Sequence, residues 1–130
     1  MSNKSSSAKS INSYDLDGVI TIGLTPGPDD IIITGRSFEE ASETYRYLHE
    51  RNIYNAVFFQ PLHFEDKTRE RSGKHKGKLL KQLIENGVNI EKHFEDDAIQ
   101  KREIEKEVDI PIVFIEHDLT EKENVRHLPE

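Results

Sequence analysis

Two carboxylates one residue apart, Asp15 and Asp17, follow the short apolar run Ile11–Tyr14 and are followed at once by Gly18. In a strand, residues i and i+2 point to one side. Both acids are therefore expected to leave one strand end together and to share a cation or a proton. Three further clusters carry complementary chemistry. Thr34-Gly35-Arg36, directly after Ile31-Ile32-Ile33, supplies a hydroxyl, a flexible backbone turn and a guanidinium. Ser72-Gly73-Lys74-His75-Lys76-Gly77-Lys78 supplies ammonium groups, and Glu95-Asp96-Asp97 sets three acids in a row. Acids for a divalent cation, with a hydroxyl and cationic groups for an anion, make a phosphate site.

The elements that must position these residues follow from periodicity. Short apolar runs alternate with amphipathic stretches, the pattern of an α/β fold with a parallel sheet covered by helices. Strands are expected at 11–14, 31–34, 56–59, 93–95 and 110–115. One helix is expected over 37–51, with Ser37 as N-cap, Glu40 completing a capping box, and Phe38, Ala41, Tyr45 and Leu48 as its apolar stripe. A second covers 76–85, with Leu79, Leu80, Leu83 and Ile84 inward and Asn86-Gly87 as its stop. Its opening would bring helix N–H dipoles to the lysines. A third covers 98–107, with Ile99 and Ile104 as a thin inner face. The connection from Gly18 to Asp30 holds Gly23, Pro26, Gly27 and Pro28. It leaves no room for a good crossover helix, so an irregular loop or a small hairpin is expected over the strand ends. In an open parallel sheet the ligand crevice lies outside the carboxyl ends of the strands, and all four clusters fall on that edge. The whole reads as a three-layer Rossmann-like fold, with a mainly parallel sheet of about five strands and helices on both faces.

Composition narrows what the site serves. The 130 residues suit one domain over 11–130, after a disordered tail at 1–10. With 18 basic against 25 acidic residues the net charge is −7. A dedicated binder of nucleic acid or anionic membrane is disfavoured, although a nucleic-acid end stays allowed as a substrate. There is no cysteine, which excludes disulfides, thiolate nucleophiles and zinc–cysteine sites. The first ten residues have no apolar signal core and no later run approaches bilayer length, so a soluble, cytoplasmic protein without a membrane partner is expected. Asn3-Lys4-Ser5 is read as a chance glycosylation triplet in the tail.

Several residues have plainer readings. Asp29-Asp30 lies about 13 Å from Thr34 along the strand and is read as a surface turn. The echo of His63-Phe64-Glu65-Asp66 in His93-Phe94-Glu95-Asp96 is taken as chance, and His75 and His93 as structural or surface residues. Arg36 is either a phosphate or structural clamp or the partner of Glu39 or Glu40. The run of Lys67, Arg69, Arg71, Lys74, Lys76 and Lys78 is either solvated or turned in part to substrate phosphate. His117-Asp118 follows the last strand, reaches the same edge and is a secondary candidate there.

Taken in order, the four clusters resemble the four motifs of the haloacid dehalogenase superfamily of phosphotransferases, over roughly residues 11–115. The resemblance implies that Asp15 is a nucleophile forming an aspartyl-phosphate and that Asp17 is the general acid–base. It implies Mg²⁺ held by the Asp15 carboxylate, the Asp17 backbone carbonyl and Asp96 or Asp97, with Asp97 preferred. Thr34, with Gly35 and Arg36, would bind the transferring phosphoryl group. Lys76, chosen over Lys74 and Lys78 for its spacing to Leu80 and Leu83, would offset its charge. The activity implied is Mg²⁺-dependent hydrolysis of a phosphomonoester: a nucleotide, a sugar phosphate, a nucleic-acid end or a phosphoprotein. The alternative is a non-hydrolytic phosphate-binding or interaction module on the same fold. Where the family commonly carries a helix or cap domain, this chain has only the short 18–30 connection. A capless site suits a large substrate or closure by a second subunit of a homo-oligomer.

Overall fold

Five strands in the computed structural model, which describes residues 9–117, form one all-parallel sheet in the order β3-β2-β1-β4-β5. These are β1 Ile11–Tyr14, β2 Ile31–Ser37, β3 Val57–Gln60, β4 Ile90–Glu95 and β5 Ile112–Phe114. The helices are α1 Ala41–His49, α2 Arg69–Glu85 and α3 Ala98–Glu105. The triplet at Asn3 and the tail from Asp118 lie outside the described residues. Of the expected N-terminal tail, Lys9 and Ser10 are described: Lys9 pairs with Asp29 at 2.8 Å, and Ser10 Oγ accepts a bond from Asn89.

Strand alternation sorts the core into two layers. Tyr14, Ile32 and Phe94 face α1 and the turn after β1, where they join Leu16, Val19, Tyr47 and Leu48. Ile11, Ile31, Ile33, Ile90 and Ile112 face the opposite way, onto Leu80 of α2 and Ile104 of α3. Successive strand side chains point to opposite faces, so the all-apolar triplet Ile31-Ile32-Ile33 feeds both layers at once. The fold is thus three-layered and Rossmann-like, as its residues predict. No helix among the described residues is long and apolar enough to cross a membrane.

Chain order fixes where a ligand can enter. β1 pairs with β2 on one side and, through Ser13↔His93 and Tyr14↔Phe94, with β4 on the other. The chain therefore builds outward through β2 and β3, then crosses back to add β4 and β5. The reversal lies between β1 and β4, and the crevice at such a switch point is where open α/β sheets bind ligands.

Several expected boundaries need correction. Strand β2 runs on through Gly35 and Arg36 to Ser37, with a register shift between Ile33 and Ser37. Gly35 is not a flexible turn: a Cβ there would meet Ser72 Oγ of α2 at 3.0 Å, and its carbonyl accepts Gln60 Nε2 at 2.8 Å. The capping box of Ser37 and Glu40 is present, but it opens a single 3-10 turn, Phe38–Glu40, ahead of α1. The stripe is rotated from the one expected, with Phe38 63% and Tyr45 39% exposed while Thr44, Tyr47 and Leu48 are buried. Glu40 and Thr44 are drawn inward by hydrogen bonds, which apolar periodicity does not register. Helix α2 begins at Arg69, where Thr68 Oγ1 caps Arg71 N at 3.1 Å. Lys76 consequently lies about two turns inside the helix, away from its N-terminal dipole. The 18–30 connection is irregular rather than a hairpin. It starts with a kinked turn, Leu16–Ile20, closed by Thr21 N–H onto the Leu16 carbonyl at 3.1 Å.

Gly73 and Gly77 share one face of α2 and let α3 approach closely. A Cβ on Gly73 would come within 2.7 Å of the Gln100 Cα, and one on Gly77 within 3.2 Å of the Ile104 Cα. Alanine favours a helix interior over glycine by about 1 kcal/mol, whereas forcing apart packed backbones costs about 1–3 kcal/mol. Gly73→Ala is therefore expected to lower stability in urea unfolding, by up to about 2 kcal/mol. A stabilised variant would show that the helices do not pack as described.

Candidate functional site

Asp15 stands where β1 ends. Its N–H bonds the Phe94 carbonyl at 3.0 Å, and its Oδ1 accepts Leu16 N at 2.8 Å, so the carboxylate caps the turn that follows. The same oxygen lies 3.1 Å from Lys76 Nζ. Lys76 is wholly buried and also donates to Glu95 Oε1 at 3.0 Å. Glu95 Oε1 lies 3.0 Å from His93 Nε2, whose Nδ1 is 2.7 Å from Ser13 Oγ. Asp15, Glu95 and Asp96 each offer an oxygen within 4.8 Å of the others. These acids end β1 and β4, so the cluster occupies the switch-point crevice.

Asp96 is bonded to His117 Nε2, just after β5. Gly18 passes so near that a Cβ would overlap the Asp96 carboxylate and crowd His117, and its φ of +83° is one that glycine adopts without strain. The glycine after the paired acids thus serves close approach as well as the turn. Beside Asp96 opens a pocket of about 490 Å³, lined by Phe114, Ile115, Glu116 and His117.

The expectation that Asp15 and Asp17 leave one strand end side by side is corrected. The strand stops at Tyr14, and the chain kinks through Asp17 and Gly18. Asp17 is gripped by Arg36, Nε to Oδ2 at 2.9 Å and NH2 to Oδ1 at 3.0 Å. Arg36 NH1 lies 3.4 Å from both Glu40 and Glu43, and Lys67 Nζ reaches Glu40 at 2.9 Å. Of the alternatives for Arg36, the Glu40 pairing is present, but the fork on Asp17 is the main contact. Burial works to lower the pKa of Arg36, but Asp17, Glu40 and Glu43 outweigh it and raise it. For Glu40, burial pushes upward, while Lys67, the Ser37 N–H and Arg36 together hold the carboxyl below its usual value.

Asp97, preferred over Asp96 as a metal ligand, is committed elsewhere. It caps α3 through Ile99 N at 2.9 Å and Gln100 N at 3.2 Å, and pairs with Arg69 at 2.9 Å. A carboxylate placed just before a helix is drawn to its unsatisfied N–H groups, which leaves Asp96 as the acid beside Asp15. Thr34 is buried, and its Oγ1 accepts Arg36 N at 3.1 Å. Four residues of the basic run face acids and carbonyls of their own chain: Lys67 on Glu40, Arg69 on Asp97, Arg71 on the Asp66 carbonyl and Lys74 on Glu70. Asp30 accepts Gly27 N and Asn12 N and holds the loop before β2, a structural part as its position suggests.

Residues that sequence reasoning underweighted are Glu95, His93 and His117. The first two share the strand parity of Ser13 and Asp15, but only the β1–β4 register brings them together. All three donors of the acidic cluster are hard oxygens, which suit Mg²⁺. Mg²⁺ held at about 2.1 Å sets neighbouring ligand oxygens about 3 Å apart and opposite ones about 4 Å apart. The three oxygens, within 4.8 Å of one another, would close by up to about 2 Å to take neighbouring positions on one ion.

The depressed Glu40 carboxyl makes stability depend on pH in a defined sense. Its contribution is complete above the unfolded-state pKa and is lost as pH falls through the lower folded value. Urea unfolding from pH 7 downward is expected to show Glu40→Gln less stable than wild type at neutral pH, the gap closing in acid. A gap independent of pH would contradict the ion network. No protein-family model matches the chain, and no curated protein matches it.

Proposed function

We propose that the protein is a Mg²⁺-dependent phosphomonoester hydrolase of the haloacid dehalogenase type. The observation that carries the reading is the buried Lys76 ammonium, clamped between Asp15 and Glu95 with Asp96 alongside, at the switch point of a parallel sheet. Acid and ammonium side by side are what a carboxylate nucleophile needs when its target is itself anionic. Asp15, Asp96 and, by its position in the cluster, Glu95 would hold the metal, which when bound would draw charge from the phosphate.

In the reaction, an Asp15 oxygen bonds to phosphorus as the ester P–O bond breaks, and the leaving oxygen takes a proton from Asp17. Asp17 then accepts a proton from water as the water oxygen bonds to phosphorus. The Asp15–phosphorus bond breaks, releasing phosphate and restoring the carboxylate. For either proton transfer Asp17 must give up one of its two bonds to Arg36, whose freed N–H groups would turn to phosphate oxygens. Thr34, one residue from the Gly35 backbone, supplies a hydroxyl to the same group. The pocket beside Asp96 offers room for the leaving group.

The test is phosphate release from nucleotides, sugar phosphates, 3′-phosphorylated oligonucleotides and phosphopeptides, with and without Mg²⁺. Wild type is expected to turn over at least one class, to stop with chelator and to recover with added Mg²⁺. Asp15→Asn is expected to lower kcat by at least about 10³-fold while remaining folded. Binding of phosphorylated ligands in Mg²⁺ without release from any class would instead establish a non-hydrolytic binding module.

A further inference from the structure

Behind Glu95 and Lys76 lie two residues that the proposed reaction does not use, Ser13 and His93. Ser13, His93, Glu95 and Lys76 are all completely buried. They form an unbroken chain of contacts, Ser13 to His93 at 2.7 Å, His93 to Glu95 at 3.0 Å, and Glu95 to Lys76 at 3.0 Å, ending on Asp15 at 3.1 Å. The chain joins β1, β4 and α2, and it exists because Ser13 and His93 are register partners across the parallel β1–β4 pair.

We propose that His93, anchored by Ser13, is a positioning residue that fixes Glu95 and, through it, holds the Lys76 ammonium against Asp15. The kinetic part rests on the hydrolase reading; the contacts do not. A lysine carries its charge on a flexible stem with about 2 kcal/mol of rotamer entropy, and on its own it would not stay on one oxygen. Glu95 Oε1 receives both Lys76 and His93, so the ring holds the oxygen to which the ammonium is tied. A carboxylate only accepts, so Nε2 carries the proton facing Glu95. In the neutral ring Nδ1 is then the acceptor and takes the Ser13 hydroxyl proton. Ser13 thereby selects the tautomer that Glu95 requires, the arrangement that outer partners of catalytic and metal-site groups commonly provide. The His93 backbone adds a further anchor, bonding the Pro111 carbonyl at 3.1 Å.

Two substitutions separate positioning from simple packing. His93→Gln keeps an N–H in reach of Glu95, whereas His93→Leu fills the space without one. With para-nitrophenyl phosphate and Mg²⁺, His93→Leu is expected to lower kcat by about tenfold or more with KM within about twofold. His93→Gln is expected to recover most of that loss. Unchanged kcat in His93→Leu, or equal losses in both variants, would overturn the proposal. A double-mutant cycle of His93→Leu with Lys76→Met in urea unfolding tests the contact without turnover. Coupling of about tenfold in the unfolding equilibrium constant is expected, and additivity would overturn the proposal. If wild type releases no phosphate while the cycle shows coupling, the hydrolase reading fails and the positioning contact stands. Should His93→Leu not fold, Ser13→Ala takes its place: a lowered kcat with KM held and coupling to Lys76→Met are expected, and unchanged kcat or additivity would overturn the proposal.

Discussion

A lysine ammonium taken wholly out of water costs several kcal/mol unless acids meet it, and in this protein the acids that meet Lys76 come from two different strands. Asp15 ends β1 and Glu95 ends β4, while Lys76 arrives from the interior of α2. The ion cluster therefore ties the central strand pair to the helix layer at the point where sheet order reverses. Much else follows from it. Helix α2 must lie close enough to deliver a side chain of limited length, and Gly73 and Gly77 leave room for α3 to pack behind it. Gly35 keeps β2 near the same helix, where a side chain would press on Ser72.

The two acids of the opening motif are divided between two such clusters. Asp15 turns to Lys76 on the α2 face, whereas Asp17, carried round the kink at Gly18, meets Arg36 beside α1. Each carboxylate thus has its own buried cation. On the proposed reading this separates two tasks: Lys76 relieves charge where phosphorus is attacked, and Arg36 releases Asp17 for proton transfer as it turns to phosphate. The Arg36 cluster continues through Glu40 to Lys67, so the site is held from the 3-10 turn and the segment just before α2 as well as from the strands.

Much of this was legible in the residues, and the failures have physical causes. The alternating strand and helix pattern and the Ser37–Glu40 capping box could be read from local spacing. The start of α2 at Arg69 escapes the apolar periodicity because residues 69–78 carry no apolar side chain; Thr68 supplies the cap there, and the glycines at 73 and 77 serve helix packing. The α1 stripe was misread because Glu40 and Thr44 turn inward through hydrogen bonds rather than through apolarity. Asp97 and Asp96 are indistinguishable as letters; what separates them is that α3 starts immediately afterward and claims the second. Glu95 is readable as one of three acids ending β4, but its pairing with Lys76 and the bond of His93 to Ser13 depend on the β1–β4 register and on where α2 lies, non-local properties that no window of sequence contains.

The central claim is that Asp15, held beside a buried lysine at the switch point, bonds covalently to phosphorus. Acid quenching during turnover of a phosphomonoester, followed by peptide mass analysis, tests it most directly. The account predicts one added phosphoryl group, labile to mild base, on the peptide carrying Asp15 and absent in Asp15→Asn. Steady turnover with no phosphoryl group on any carboxylate, or its appearance on a residue other than Asp15, would contradict it.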